Sequence, residues 1–192
     1  PPLTNDPRAG LGRWSAQDIA DLLQTGIAAH SSASGPMAEV VLGSTQHLTG
    51  EDALAMGVYL KSLPDTPAST AASAAPVSAA AMELGGKIYR QQCVQCHQAA
   101  GEGSAGAWPA LAGNPTVTAP SPVNAIRIVL DGGFAPATAA NPRPHGMPPF
   151  GQMLNDNDIA MLVSYIRNSW GNAAGGVTSL EVKRARAAAT RN

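Results

Sequence analysis

The chain has 192 residues with 12 Lys or Arg against 13 Asp or Glu, a formal net charge of −1; this suits one domain or two small ones and leaves no electrostatic footprint for nucleic acid or an anionic membrane surface. Apolar residues make up 44%, yet Leu, Ile, Val and Phe supply only 35 positions against 36 Ala. So few bulky side chains without net charge predict that a large apolar cofactor completes the core rather than that the chain is disordered, and with no run of 18 apolar residues no stretch reads as a bilayer span.

Helical periodicity dominates. Ser15 with Asp18 forms a capping box opening a helix that carries Ile19, Leu22 and Leu23. Thr49 with Asp52 opens a second, carrying Leu54, Val58, Tyr59 and Leu60. Residues 64–78 are almost wholly Pro, Ala, Ser and Thr, which bury no core and read as an extended linker. A third helix spans 79–92 with Leu84, Ile88 and Tyr89. Pro122, at a first-turn position, begins a fourth through Ile126 and Val129, stopped by Gly132-Gly133. Asn155 with Asp158 caps a fifth, carrying Ile159, Leu162, Val163, Tyr165 and Ile166. The tail, 172–192, reads as surface-docked or frayed, and its basic run as a solvated face. A helix at 178–190, with Leu180, Val182 and Ala185, is too short to cross a bilayer but could lie on one. With no alternating strand pattern of useful length, the expected class is all-α with long loops.

The chain also contains a half-repeat. Gln24-Thr25-Gly26 lies 106 residues before Leu130-Asp131-Gly132, and Leu48, Asp52 and Tyr59 lie 106 before Leu154, Asp158 and Tyr165. Between these anchors stand Gly35-Pro36-Met37 and Gly146-Met147-Pro148. Each copy reads as helix, glycine stop, loop with Gly, Met and Pro, then a capped helix. Residues 1–63 are thus expected to be the tail of a domain whose front is absent, and 79–171 a complete one.

The strongest chemical signal is Cys93-Val94-Gln95-Cys96-His97. Cys-x-x-Cys-His reads as c-type haem attachment: two thiols at a helix end add across the porphyrin vinyl groups, and the following imidazole reaches the iron. Two other readings compete. A thioredoxin-like dithiol would need a strand–helix–strand context, and a zinc site would need His30, His47 or His145 to complete four ligands. The sixth ligand should lie downstream on non-helical chain. Met147, framed by Pro142, Pro144, Pro148 and Pro149, is expected on an extended loop without a regular ladder, its thioether turned to the iron. Met153 and His145 are the alternatives; imidazole there would lower the haem potential, thioether raises it.

Together, Tyr89, the motif at 93–97, Trp108-Pro109-Ala110-Leu111-Ala112-Gly113-Asn114, the Met147 loop and the Tyr165 helix resemble the class I cytochrome c family over residues 79–171. The resemblance implies one haem c, with the Pro109 carbonyl accepting from His97 and fixing its tautomer. It also implies a haem wall of Trp108, Leu111, Val129, Leu130 and Phe150, with Asn114 and Arg127 as propionate partners. Trp108 could equally be plain core, and Arg127 an exposed helix charge.

Almost the whole chain is similar to the multi-haem cytochrome c subunits of periplasmic membrane-associated dehydrogenases. That likeness rests on Gly12-Arg13-Trp14-Ser15, Gly35-Pro36-Met37-Ala38-Glu39-Val40-Val41, Ser44-Thr45-Gln46-His47-Leu48-Thr49 and Tyr59-Leu60-Lys61-Ser62-Leu63-Pro64. It implies an electron relay on the periplasmic side, fed by a dehydrogenase catalytic subunit or upstream haem and drained by quinone or a terminal oxidase. It also implies that Met37 ligates a haem whose attachment motif is missing here. A haem enzyme with a replaceable distal ligand, acting on sulfur compounds or peroxide, is the alternative; a third reading makes residues 1–63 a docking module for a partner subunit.

Overall fold

Each of the five helices expected from caps and periodicity forms in the computed structural model of the chain, which describes residues 3–6, 10–29, 31–64, 76–104 and 106–189. In α1 (Ala16–Thr25), Ser15 Oγ accepts from Asp18 N at 3.0 Å while Asp18 accepts from Ser15 N at 2.8 Å. The helix ends at Gly26, and β1 (Ile27–Ala28) pairs antiparallel with β2 (Ser31–Ser32). Then come α2 (Pro36–Gly43), a 3-10 turn at Thr45–His47, and α3 (Gly50–Ser62), capped by Thr49. Residues 65–75 of the expected linker lie outside the described residues.

The second unit opens with α4 (Ala79–Gln92), followed by single-turn α5 (Val94–His97) and α6 (Pro115–Thr118). Next is α7 (Val123–Asp131), for which Pro122 is the cap and not, as expected, a first-turn residue. β3 (Gly133–Phe134) pairs antiparallel with β4 (Gly146–Met147), and α8 (Asp156–Arg167) carries the predicted Asn155–Asp158 capping box. The chain closes with α9 (Ser179–Ala189). Two further β-bridges, Ser104↔Trp108 and Thr138↔Asn141, tie down loops. The class is all-α, as expected.

The half-repeat is visible in three dimensions: helix, glycine cap, two-residue ladder and capped helix occur twice. The copies diverge at the methionines. Gly35-Pro36-Met37 was expected in a loop, but Pro36 starts α2 and Met37 is its second residue. Proline at a helix start pre-sets φ, and Met-Ala-Glu-Val-Val-Leu after it continues the helix. Pro148 and Pro149 after Met147 forbid that outcome, so Met147 stays extended. Contrary to expectation it also joins a short ladder, opposite Gly133.

The main core belongs to the second unit: Ile88, Tyr89, Val117, Ile126, Val129, Leu130, Phe150, Ile159, Leu162, Val163 and Val182 are buried together. Each fully buried side chain of this size contributes about 1.5–3 kcal/mol. A satellite cluster of Leu11, Trp14 and Ile19 holds the first unit. There α3 packs on α1, and Leu54, Val58 and Tyr59 remain exposed.

The tail is docked. Of the three residues that could have met a membrane surface, Val182 and Ala185 are buried where α9 packs on α7 and α8, and Leu180 is exposed. Arg186 pairs with Asp156 at 2.8 Å and donates to the carbonyls of Gly151 and Leu154. Among the described residues no helix is long and apolar enough to cross a membrane.

Candidate functional site

α4 stops at Cys93, and the single turn of α5 brings Cys93, Cys96 and His97 to one end of the core. The two thiols are not joined to each other; Cys93 is buried and Cys96 half-buried. Burial, and then the neighbouring Cys96, push the Cys93 thiol up to about 12. His97 is buried, with Nδ1 3.0 Å from the Pro109 carbonyl oxygen. A carbonyl only accepts, so Nδ1 is the donor and the Nε2 lone pair is left open. Burial lowers the His97 pKa, and the Pro109 bond offsets part of that.

Pro109 is held in place by the loop after His97. Gly103 N donates to His97 O at 3.1 Å, and Ser104 and Trp108 exchange backbone bonds of 2.9 Å. Gly103 has φ of 65°, and a Cβ there would lie 2.5 Å from Trp108 O and 2.7 Å from the Pro109 carbonyl carbon. Only glycine lets these strands close and brings the Pro109 oxygen to the imidazole. Residues from after α8 lock the loop from outside. Asn172 accepts from Gly113 N and donates to the carbonyls of Leu111 and Ile166, and Trp170 donates to Ala99 O. Tyr89 donates to Gln98 O at 2.6 Å, and the rings of Tyr89, Tyr165 and Trp170 pack with centroids 4.9–5.6 Å apart.

Met147 is half-buried and packs against the main core, which also contains Cys93, Val129, Leu130 and Phe150, with Leu111 at its edge. Phe150 N and Gly151 N donate to the carbonyls of Val129 and Leu130, binding the chain after Met147 to α7. The Trp108 and His145 rings meet at 5.0 Å, joining the loop that carries Pro109 to the loop that carries Met147. Thus Cys93, Leu111, Val129, Leu130, Met147 and Phe150 are assembled in one cluster, with His97 tied in through Pro109 and Trp108 reaching across.

Two expected residues have other surroundings. Asn114 is buried, and its amide caps α6 through Thr116 N and donates to Ala110 O. Arg127 is exposed in a groove between α7 and α9 with Glu181 and Arg184, and no other residue of the site lines that groove. Met37 sits half-buried in the first unit, Met153 is exposed, and His30 lies outside the described residues. The described residues contain no cluster of three His, Cys, Asp or Glu side chains suited to zinc.

Sequence reasoning missed Asn172, Trp170, Gly103 and Arg167. The last is buried and donates to the carbonyls of Val117, Ala119 and Gly175. Its place four residues after Val163, on the apolar stripe of α8, was the available signal.

Two unpaired thiols and an imidazole with an open Nε2 on one turn, facing a core that includes a thioether, are a donor set that fits haem c. An all-α domain with that set at a Cys-x-x-Cys-His turn is a c-type cytochrome domain. Residues 82–170 match the cytochrome c family, so this part of the chain is a cytochrome c domain. The chain is 39% identical, over 97% of its length, to the cytochrome c subunit of alcohol dehydrogenase (quinone) from Gluconacetobacter polyoxogenes, covering 42% of that protein. It is 38% identical to the gluconate 2-dehydrogenase cytochrome c subunit of Pantoea cypripedii, over 90% of this chain and 41% of the relative. With the fructose dehydrogenase cytochrome subunit of Gluconobacter japonicus it shares 34% identity, over 97% and 43%. The chain spans about two fifths of the length of these curated relatives.

Proposed function

We propose that this chain is the relay portion of a dehydrogenase's cytochrome c subunit, with one haem c bound through Cys93 and Cys96 and its iron ligated by His97 and Met147. The observation that carries the reading is the His97–Pro109 bond, which fixes the tautomer that leaves Nε2 open. A bound haem c supplies a one-electron Fe(III)/Fe(II) couple. The protein's part is to fix and tune it. Cys93 and Cys96 hold the ring, and Leu111, Val129, Leu130 and Phe150, with Trp108, wall it from water. A low-dielectric wall disfavours the extra positive charge of Fe(III), and thioether ligation acts in the same direction, so the potential is high. No role toward the cofactor is assigned to Asn114, whose amide caps α6, or to Arg127, which is exposed in the groove between α7 and α9.

Residues 1–63 are read as the end of a second cytochrome c domain, with Met37 a ligand to a haem attached outside this sequence. The half-repeat supports this, as does the open apolar face of α3 at Leu54, Val58 and Tyr59. So does Trp14 Nε1, a buried donor without an acceptor among the described residues, which a haem propionate would satisfy. Electrons would arrive from a dehydrogenase catalytic subunit or upstream haem and leave to quinone or a terminal oxidase, on the periplasmic side. The named relatives are cytochrome subunits of dehydrogenases, and nothing among them supports substrate chemistry at the iron.

The test is an intact mass with a haem assay: one covalently bound haem per chain is expected, lost in Cys93→Ala together with Cys96→Ala. Met147→Ala should abolish the weak far-red band of a thioether–Fe(III) bond and convert the iron to high spin. Colourless protein, or an unchanged spectrum in Met147→Ala, overturns the reading.

A further inference from the structure

After Met147 the chain is bound to α7, but before it the backbone is tied to its own unit by a short ladder, with the Trp108–His145 ring contact beside it. β3 and β4 contribute two residue pairs, Gly133↔Met147 and Phe134↔Gly146, and so short a ladder is marginal by itself. Residues 135–145 form a long excursion between them: His145 at its end meets Trp108, and its middle is seated on the other unit. Thr138 is only 4% exposed, accepts from Asn141 N, and donates its hydroxyl to the carbonyl of Thr25 at 3.1 Å. Thr25 is the last residue of α1, so its carbonyl has no intrahelical partner and Thr138 supplies one. Next to it, Pro136 lies against Gly26: a Cβ on Gly26 would come within 2.2 Å of Pro136 Cγ, and its φ of 78° is glycine's own.

We propose that Thr138 and Pro136, seated on Thr25 and Gly26, are positioning residues for Met147, so that the first unit clamps the methionine loop and sets part of the strength of the thioether–iron bond. The inference rests on the reading of Met147 as ligand. The physical argument is one of populations. With the seat intact, the excursion has few conformations and the thioether stays over its ligating position. Unseated, residues 135–145 gain freedom, and the dissociated form rises without a change in either ligand.

The experiment uses the oxidised holoprotein, titrated with imidazole, which competes with the thioether and is followed by loss of the far-red band. Apparent imidazole affinity rises in proportion to the dissociated population. Thr138→Val removes one hydrogen bond, worth about 1 kcal/mol, so it should tighten apparent imidazole binding about five-fold. Thr138→Ser, which keeps the hydroxyl, should return the affinity to that of the parent. Gly26→Ala should tighten it further by displacing Pro136. Gln17→Ala, which removes an exposed side-chain bond to Asp21 in the first turns of α1, should leave it unchanged. Parent-like imidazole binding in Thr138→Val overturns the clamp, as does equal tightening in Gln17→Ala. If Gly26→Ala does not fold, the Thr138 pair decides. A far-red band surviving in Met147→Ala defeats the ligand reading itself, whereas its loss there together with inert Thr138 variants defeats only the clamp.

Discussion

Gln98, directly after His97, has φ of 62° and ψ of 169°, a region that is nearly glycine's alone. It is kept there from both sides: its N–H donates to Val94 O at 2.9 Å, closing α5, and its carbonyl accepts from Tyr89. Gln98→Gly should therefore raise stability by about 1 kcal/mol net of glycine's entropy cost, read as a higher urea midpoint at unchanged slope. Tyr89→Phe should lower it by about 1 kcal/mol. At this scale the Cys-x-x-Cys-His motif was legible because its three donors fall within five consecutive residues. What orients them was not: Asn172 reaches Gly113 across 59 positions and Trp170 reaches Ala99 across 71. No local pattern marks a donor whose acceptor is a distant carbonyl.

Among the elements, α9 gives the clearest energetic test. Val182 is fully buried, so Val182→Ala should cost about 1–3 kcal/mol through lost burial and the cavity left behind. Arg186→Ala, which removes a half-exposed ion pair and two carbonyl contacts, should cost about 1–2 kcal/mol. Urea unfolding of each variant against the parent checks both, and a tail that merely frays would leave the midpoint unmoved. Three of the major helices were readable because each begins with its own signal: Ser15, Thr49 and Asn155 pair with an acid three residues on. α2 was not, because proline can open a helix or hold a loop, and the residues after Pro36 decide the outcome. In the other copy, Pro148 and Pro149 decide it the opposite way.

For the whole molecule, proton linkage has a definite sign. Native His97 is buried with a lowered pKa, while unfolded His97 titrates near 6.5, so below that value the unfolded chain binds more protons. This contribution to stability is present above about pH 6.5 and is lost as pH falls below it. The urea midpoint should drop between pH 7 and pH 5, and a midpoint that rose instead would contradict a neutral, buried imidazole. The half-repeat announced two related units, yet not how the first would pack: α3 lies on α1, whereas α8 lies on α4. Helix faces specify that some apolar neighbour is required; in the first unit α1 covers one side of α3 and leaves Leu54, Val58 and Tyr59 exposed.

The burial of Cys93 also carries a lesson about timing. In the finished fold its sulfur is withheld from water and holds its proton to about pH 12, which makes it a poor nucleophile, while the lock formed by Trp170 and Asn172 is the last part of this region to be synthesised. On the proposed attachment through Cys93 and Cys96, haem loading would precede closure of that lock. Folded but haemless protein should take up an alkylating reagent at Cys96 well ahead of Cys93, and peptide mass mapping after brief exposure would record that order.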